Sequence, residues 1–420
     1  MIDKSVLPEH WEVRKLGEIC KTVTGNTPPR NNIDNYGTAI PFVKPPQVQD
    51  KPISDAPENL SEKGTQVARV LPIGSVLVTC IGNLGRTAIN KIPVAFNQQI
   101  NALIPSKVLE GKFLFYQAQS PNFKNQLEKL SAATTVAIVN KGKFETINIV
   151  LPTLPEQRGI VAKLEELFSD LDKGKEQLET ARQQLKVYRQ AVLKWAFEGR
   201  FTNPEVKEGE LPEGWKWVKI GNISPKVTVG FVGSMKDQYI DQGIPFLRGQ
   251  NVKANRYDPN GLKYVSDKFH IQLSKSKIST GDILVVRSGN VGTSCVVPES
   301  LPDANCSDLV IVKKPTNTNS YYISYYLNSV VQSRIIAQKV GVALGHFNTK
   351  TVERFEIPVP DLEEQIQIVQ EIESRLSVCD KVEETINQSL QQADMLRQSI
   401  LKEAFEGKLI KISKTVVEMA

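Results

Sequence analysis

Long apolar runs are missing from this 420-residue sequence. No stretch approaches the roughly 18 consecutive apolar residues that a membrane span needs, and Met1-Ile2-Asp3-Lys4 opens no signal-peptide core. A cytoplasmic chain with no membrane partner is expected. Cysteine is scarce: Cys20, Cys80, Cys295, Cys306 and Cys379 are odd in number, scattered, and never in a Cys-x-x-Cys pair. That argues against a disulfide framework or a zinc site and for reduced, mostly buried thiols. His10, His270 and His346 are too dispersed for a metal site. Catalytic signatures are missing as well. There is no Gly-x-x-x-x-Gly-Lys-Ser/Thr, no His-Glu-x-x-His and no Gly-x-Ser-x-Gly. The amino-methyltransferase tetrapeptide Asn/Asp-Pro-Pro-Tyr/Phe is absent too, because Thr27-Pro28-Pro29-Arg30 and Lys44-Pro45-Pro46-Gln47 lack its acid or amide and its ring. Gly230-Phe231-Val232-Gly233 is a glycine-rich scrap rather than a phosphate loop. No catalytic role, cofactor or metal is expected of this chain.

What is present is the balance of a folded globular chain, 40% hydrophobic and 23% charged, long enough for two to four domains. Lys plus Arg (52) exceed Asp plus Glu (46), a formal net charge of +6, too small an excess to establish a nucleic-acid partner alone. Internal repetition is the stronger signal. Leu7-Pro8-Glu9-His10-Trp11 recurs as Leu211-Pro212-Glu213-Gly214-Trp215, an offset of 204. Ile40-Pro41-Phe42 recurs as Ile244-Pro245-Phe246. Gly74-Ser75-Val76-Leu77-Val78 through Gly82-Asn83-Leu84-Gly85 recurs as Gly281-Asp282-Ile283-Leu284-Val285 through Gly289-Asn290-Val291-Gly292, the offset now 207. From Asn140/Asn348 it settles at 208, through Glu156-Gln157/Glu364-Gln365 to Ala196-Phe197-Glu198-Gly199/Ala404-Phe405-Glu406-Gly407. One unit is written twice, each time a variable globular part followed by a part of fixed length.

In the first fixed part Ile160, Leu164, Leu167, Leu171, Gly174, Leu178, Ala181, Leu185, Tyr188, Val192 and Trp195 alternate at spacings of four and three, the seam of a coiled coil. In the second, Ile368, Ile372, Val382, Ile386, Ala393, Leu396 and Ile400 keep the phase, interrupted at Arg375, Cys379, Ser389 and Glu403. Thr153-Leu154-Pro155-Glu156 and Asp361-Leu362-Glu363-Glu364 read as capping boxes, Pro152 and Pro360 keep the preceding chain extended, and Gly199 and Gly407 supply the stops. Apolar runs such as 75–80, 282–287 and 309–312 read as short strands, and 113–130 and 321–339 as helical interludes. The expected class is α+β: two similar globular domains separated by two long antiparallel coiled-coil helices, with a pseudo-twofold internal repeat. The expected boundaries are 1–153, a helix over 154–200, a polar linker over 201–210, 211–360, a helix over 361–410, and a tail over 411–420. Residues 155–200 carry nine basic against eight acidic side chains and residues 363–408 five against ten, so the rest of the chain carries the basic excess. A helix of about 45 residues is roughly 65 Å long. With facing seams, the second helix would return antiparallel to the first and close a near-circular molecule.

Together these features resemble the specificity subunit of type I restriction-modification systems over essentially the whole chain. The resemblance rests on the Leu-Pro-x-x-Trp openings, the Gly-Asn-x-Gly turns, Pro-x-x-x-Glu-Gln at 152–157 and 360–365, and the Ala-Phe-Glu-Gly closings, all duplicated in order. It implies that each globular domain is a target recognition domain reading one half of a bipartite site in double-stranded DNA, while the helices set the spacing. It also implies docking to two adenine-N6 methyltransferase subunits that use S-adenosylmethionine, and to ATP-driven restriction subunits, this chain being non-catalytic. A self-sufficient methyltransferase or nuclease would need the missing motifs. A coiled-coil adaptor without DNA would not need duplicated basic domains.

Candidate DNA contacts are polar residues on loops beside the strands: Thr24, Asn26, Thr27, Arg30, Lys44, Gln47 and Arg86 in the first domain, and Lys236, Arg248, Gln250, Asn251, Lys253, Arg287, Asn290, His346 and Asn348 in the second. Arg suits guanine, Asn and Gln suit adenine, and Lys suits phosphate. Arg248 and Arg287 stand out because each directly follows an apolar strand. For every one of these residues a solvated or turn-stabilising role competes, and at Gly82-Asn83 and Gly289-Asn290 turn chemistry is the stronger claim. Trp195 is expected to pack in the seam, and Glu156-Gln157 and Glu364-Gln365 to cap the helices.

Overall fold

The computed structural model describes residue 2 and residues 4–131, 136–338 and 348–410, with side chains throughout except over 330–338. His346 and the tail 411–420 lie outside the described residues. The chain divides into two compact units, Met1–Glu179 with Asn387–Ala420, and Thr180–Ile386. Each unit contains one globular half, the start of the long helix that follows it, and the end of the other long helix.

In the first unit the strands Cys20–Thr24, Ile100–Pro105, Val76–Thr79, Thr87–Asn90 and Lys51–Ile53 form one sheet in that order, and Asn59–Leu60, Tyr36–Val43, Val94–Phe96 and Val70–Leu71 form another. In the second unit Val227–Val229, Leu309–Val312, Ile283–Val286 and Ser294–Val296 form one sheet, and Lys263–Val265, Ile244–Leu247, Ala304–Cys306 and Lys277–Ile278 form another. Apart from Lys51–Ile53, the order is the same strand for strand. It includes the parallel joins of Phe42–Val43 with Ala95–Phe96 and of Phe246–Leu247 with Asn305–Cys306. The repetition therefore runs through the segments where the sequence offset drifts. Val76–Thr79 and Ile283–Val286 are buried at every position, which is why they read as continuous apolar runs rather than alternating ones.

The interlude expected over 113–130 is two helices, Gly111–Gln119 and Pro121–Leu130. Ser120 ends one and caps the other, and Pro121 takes a first-turn position where its missing N–H costs nothing. Its counterpart, Ser320–Gln338, is continuous.

The long helices span Leu154–Phe197 and Leu362–Phe405, 44 residues each. Both end as the glycines foretold. Gly199 and Gly407 adopt φ of 75° and 73°, and the N–H groups of Arg200 and Lys408 reach back to the carbonyls of Trp195 and Glu403, both at 2.9 Å, a Schellman closure. The helix ends pair antiparallel inside each unit. In the first, Arg397 lies 3.9 Å from the Phe168 ring centroid and pairs with Asp172, while Lys175 pairs with Asp394. In the second, Arg189 pairs with Asp380 and Glu383.

The covered face is broader than a strict heptad. The heptad positions 160, 164, 167, 171, 174, 178, 181, 185 and 192 are covered or half-covered, and so are 168, 175, 182, 189, 193 and 196; the row 160, 164, 168, 171, 175, 178, 182, 185, 189, 193 and 196 has two places where a step of four follows a step of four. That eleven-residue spacing follows the natural pitch of a straight helix more closely than the heptad does. It turns Tyr188 and Trp195 outward, 45% and 48% exposed. On the second helix Val382 and Leu396, expected in the seam, are 42% and 51% exposed. Cys379, expected to interrupt it, is buried, and Arg397 on its aromatic partner takes the place assigned to Leu396. Ile160, Leu164, Val192, Ile368, Ile372 and Ile386 are buried as expected, while Leu167, Leu171, Leu178, Leu185 and Ile400 are half-covered.

The duplicated motifs meet at the helix starts. The Trp11 indole donates to Glu156 at 3.2 Å, and the Trp215 indole donates to Glu364 at 3.1 Å. His10 and Thr153 add further bonds to Glu156, and Thr202 and Asn203 to Glu364. Thr202 and Asn203 lie in the segment expected as a polar linker, and both are bonded to Glu364. Gln157 and Gln365 are fully buried. Their amides donate to the Pro152 and Pro360 carbonyls at 2.9 Å, and their oxygens accept from the backbone N–H of Glu110 and Asn319 at 2.8 Å. The capping expectation holds for Asp361, which accepts from the Glu364 N–H at 2.8 Å. At the first helix Glu156 makes the other half of the box, accepting from the Thr153 backbone N–H at 2.8 Å and from its hydroxyl at 2.7 Å. The closing glycines complete the pattern: a Cβ on Gly199 would strike Pro212, and one on Gly407 would strike Pro8. The end of the second long helix thus packs on the first opening as the end of the first helix packs on the second opening.

Two outcomes follow. Burial works against the Glu156 charge, but bonds from His10, Thr153 and Trp11 outweigh it and hold this carboxyl below its ordinary range. A depressed carboxyl contributes stability that is present above its unfolded value and is lost as pH falls toward the folded one. Glu156→Gln is therefore expected to cost about 1–3 kcal/mol at neutral pH and to lose less stability than the parent on acidification below about pH 4.5, as read from urea midpoints across pH. New termini opened between Lys207 and Gly209, with a flexible tether joining the old ends, are expected to leave circular dichroism and melting cooperativity unchanged, because that loop is exposed. Loss of cooperative melting would argue against the closure at Pro8 and Gly407.

Candidate nucleic-acid interface

In each half one backbone junction joins the two sheets. The N–H of Gly25 donates to the Ile100 carbonyl, that of Asn26 to Phe96 and that of Asn97 to Val43, at 3.1, 3.0 and 3.0 Å. In the second half Gly230 donates to Leu309, Phe231 to Cys306 and Ser307 to Leu247, at 2.8, 2.8 and 3.0 Å. The chain crosses so closely that a Cβ on Gly25 would lie 2.1 Å from the Asn97 carbonyl oxygen, and one on Gly230 would lie 2.7 Å from that of Cys306. Gly230 is therefore a packing glycine. The strands that end here are followed by Lys44 and Arg248, each opening a one-turn helix in which the backbone N–H donates at 3.0 Å to the side chain three residues on, Gln47 or Asn251.

The first half dresses this frame mainly with amides and hydroxyls. Thr24 donates to Asn101 at 2.6 Å and Thr27 to Gln98 at 2.7 Å. Asn26 donates to the Val67 carbonyl and accepts from the Arg69 N–H. Lys44 meets Glu58 and lies 5.5 Å from the Phe42 ring centroid. Arg30 is exposed, 3.9 Å from the same carboxylate. Burial, and then the Arg30 charge, pull the Lys44 ammonium below its ordinary value. Arg86 projects from the turn that follows Val76–Thr79.

The second half presents guanidinium groups. Arg248 donates to the Gly261 carbonyl at 2.8 Å and lies 5.8 Å from the Tyr239 ring centroid, with Lys263 at the same distance from that ring. Its Nε is buried without a hydrogen-bond partner. Gln250 donates to the same Gly261 carbonyl. Arg287 pairs with Asp308 at 3.1 Å. The two arginines leave strands of different sheets that end close together, since a Cβ on Gly249 would touch Val286 at 3.7 Å. Lys236 is exposed on the loop after Val227–Val229.

Other candidates stand apart. Asn251 is completely buried, and its amide is spent on the carbonyls of Asp258 and Asn260, so it builds the turn and presents nothing outward. Asn348 accepts from the Thr351 N–H as Asn140 accepts from Lys143; both cap short helices. Lys253 is exposed on a hairpin 4.0 Å from Asp258, and Asn290 is exposed in its glycine turn. Sequence inspection passed over Glu58, Arg69, Gln98, Tyr239, Lys263 and Asp308. Only the polar run Asn97-Gln98-Gln99, wedged between apolar strands, offered a signal. Burial pushes the Cys80 and Cys295 thiols up to about 12 and raises Cys306 as well. All five cysteines are buried and free. Among the described residues no group of three or more His, Cys, Asp or Glu is placed to hold a metal ion.

Comparison with known proteins matches residues 8–180 and 212–392 to the type I restriction modification DNA specificity domain. The chain is similar to the type I restriction enzyme EcoKI specificity subunit of Escherichia coli K12, with 25% identity covering 96% of this chain and 90% of that one. It is similar to the EcoBI specificity subunit of Escherichia coli, with 28% identity over 80% and 73%. A chain solved in work on complex assembly and conformational transition of the type I R-M system shares the fold, with a TM-score of 0.78 and 22% identity, covering 96% of this chain and 99% of that one.

The close crossing is expected to be intolerant. Gly25→Ala should destabilise by about 3 kcal/mol, while Gly142→Ala, with nothing nearer than 3.7 Å to its Cβ, should change stability by less than about 1 kcal/mol. Denaturant midpoints of both variants decide it.

Proposed function

Because the chain belongs to the type I restriction-modification DNA specificity family, carrying that domain twice, we propose that each globular half reads one half of a bipartite site in double-stranded DNA. The chain is the specificity subunit of such a system and is itself non-catalytic. The reading domains are 1–153 and 211–360, the helices over 154–200 and 361–410 act as spacers between them, 201–210 joins the halves, and 411–420 is a tail. Two adenine-N6 methyltransferase subunits dock to the chain and bring S-adenosylmethionine; ATP-dependent restriction subunits join them. Among the described residues no helix is long and apolar enough to cross a membrane, and a DNA substrate places the work in the cytoplasm.

One observation supports this reading above the rest: the two halves repeat the same main-chain bonds at the sheet junction while carrying different side chains on it. A shared frame with exchangeable polar tips is what two sequence-reading modules require. The proposed contacts are Thr24, Asn26, Thr27, Arg30, Lys44, Gln47 and Arg86 for one half-site. For the other they are Lys236, Arg248, Gln250 and Arg287, with Lys253 and Asn290 at its margin.

In the complex with its methyltransferase partners, Arg248→Ala is expected to relax one half of the methylated motif, at about 1–3 kcal/mol per lost bidentate contact, and to leave the other half unchanged. Sequencing the methylated sites reads this. Both halves altered together, or methyl transfer by the homogeneous chain alone, would overturn the proposal.

A further inference from the structure

We propose that Asp308 is a positioning residue that presents the Arg287 guanidinium to a guanine in the half-site read by residues 211–360; the inference rests on the DNA-reading role proposed above. Arg287 directly follows Val286, which pairs with Leu309, and Asp308 directly precedes Leu309. Both side chains therefore leave adjacent strands at the same end. Asp308 holds a φ of 51°, a left-handed conformation that few L-residues other than Asn and Asp adopt, and its N–H is tied to the Phe231 carbonyl at 3.2 Å. The sheet junction thus fixes where its carboxylate stands. One oxygen forms an ion pair with Arg287 Nη1 at 3.1 Å, and the other accepts from Ser288 Oγ at 2.9 Å.

Stability does not account for this arrangement. Asp308 is 49% exposed, and an ion pair of that kind contributes little to stability. Orientation does account for it. A guanidinium has five N–H groups in a planar fork, and one held by a carboxylate fixes the plane in which an adjacent edge meets guanine O6 and N7. A carboxylate also repels phosphate, so at a DNA surface it lowers indiscriminate affinity while sharpening the choice of base. In the first half the matching positions are Cys80 and Gln99, joined by a backbone bond from the Cys80 N–H to the Gln99 carbonyl at 2.9 Å. The frame is kept there and the guanidinium–carboxylate pair is absent, so this guanine contact belongs to one half-site alone.

The test uses the chain assembled with its methyltransferase subunits. Competition binding is run against duplexes altered one base pair at a time across both half-sites, and against random duplex. Arg287→Lys keeps the charge and loses the fork; Asp308→Asn keeps the shape and loses the charge. Each is expected to lower discrimination at the same single G·C pair on the order of tenfold, with the other half-site unchanged. Random-duplex affinity and its salt slope should hold for Arg287→Lys, and random-duplex affinity should hold or rise for Asp308→Asn. Asp308→Glu should recover part of the discrimination. If Asp308→Asn does not fold, the position-specific loss in Arg287→Lys still decides the guanine contact, and Asp308→Glu decides the positioning. Equal weakening on specific and random duplex by Asp308→Asn, or full discrimination in both variants, would overturn the inference. Absence of any half-site discrimination in the unmodified complex would instead sink the DNA-reading role itself.

Discussion

A carboxylate withdrawn from water costs several kcal/mol unless donors meet it; Glu156 stands where that cost falls, in the first turn of its long helix, and half-buried Glu364 holds the same place in the other. The donors come from far away in the chain: the indoles of Trp11 and Trp215 lie 145 and 149 residues earlier. Satisfying each carboxylate therefore requires the intervening globular half to close on itself, and it brings the opening Pro8 or Pro212 against the glycine that stops a helix. Gln157 and Gln365, one residue on, bind the start of the helix that crosses the globular half. Three short motifs that look unrelated in sequence, Leu-Pro-x-x-Trp, Pro-x-x-x-Glu-Gln and Ala-Phe-Glu-Gly, are parts of one joint, built twice.

That joint and the sheet junction are held mainly by backbone groups and buried polar side chains, whose bonds do not depend on what the loop tips carry. The tips can then differ without unfolding the frame. In one half Thr24, Thr27 and Lys44 are tied to Asn101, Gln98 and Glu58; in the other Arg248 and Arg287 are tied to Gly261 and Asp308. This division between a fixed frame and differing polar ends lets one fold carry two different sets of side chains.

The long helices obey a different constraint. A straight helix drifts about 20° per heptad from an exact seven-residue repeat, so a seam read as heptads falls out of phase over ten turns. Two added steps of four restore it on the first helix, at the expense of Tyr188 and Trp195. On the second helix Arg397 covers the Phe168 ring at a place where Leu396 faces water.

What the sequence alone determined is what one dimension can carry: the duplication, the lengths and stops of the two long helices, the absence of catalytic motifs, and the strand-rich character of the variable parts. Those features rest on spacings of three and four, on glycine and proline chemistry, and on counting, all of which are local. Tertiary structure alone decided the rest. That Trp11 serves Glu156, that Asn251 and Asn348 build turns and caps instead of facing outward, that Gly230 exists for a chain crossing, and that Asp308 holds Arg287 depend on partners separated by loops of variable length. No periodicity ties them together in sequence, because their meeting is set by how two sheets pack and where each strand ends.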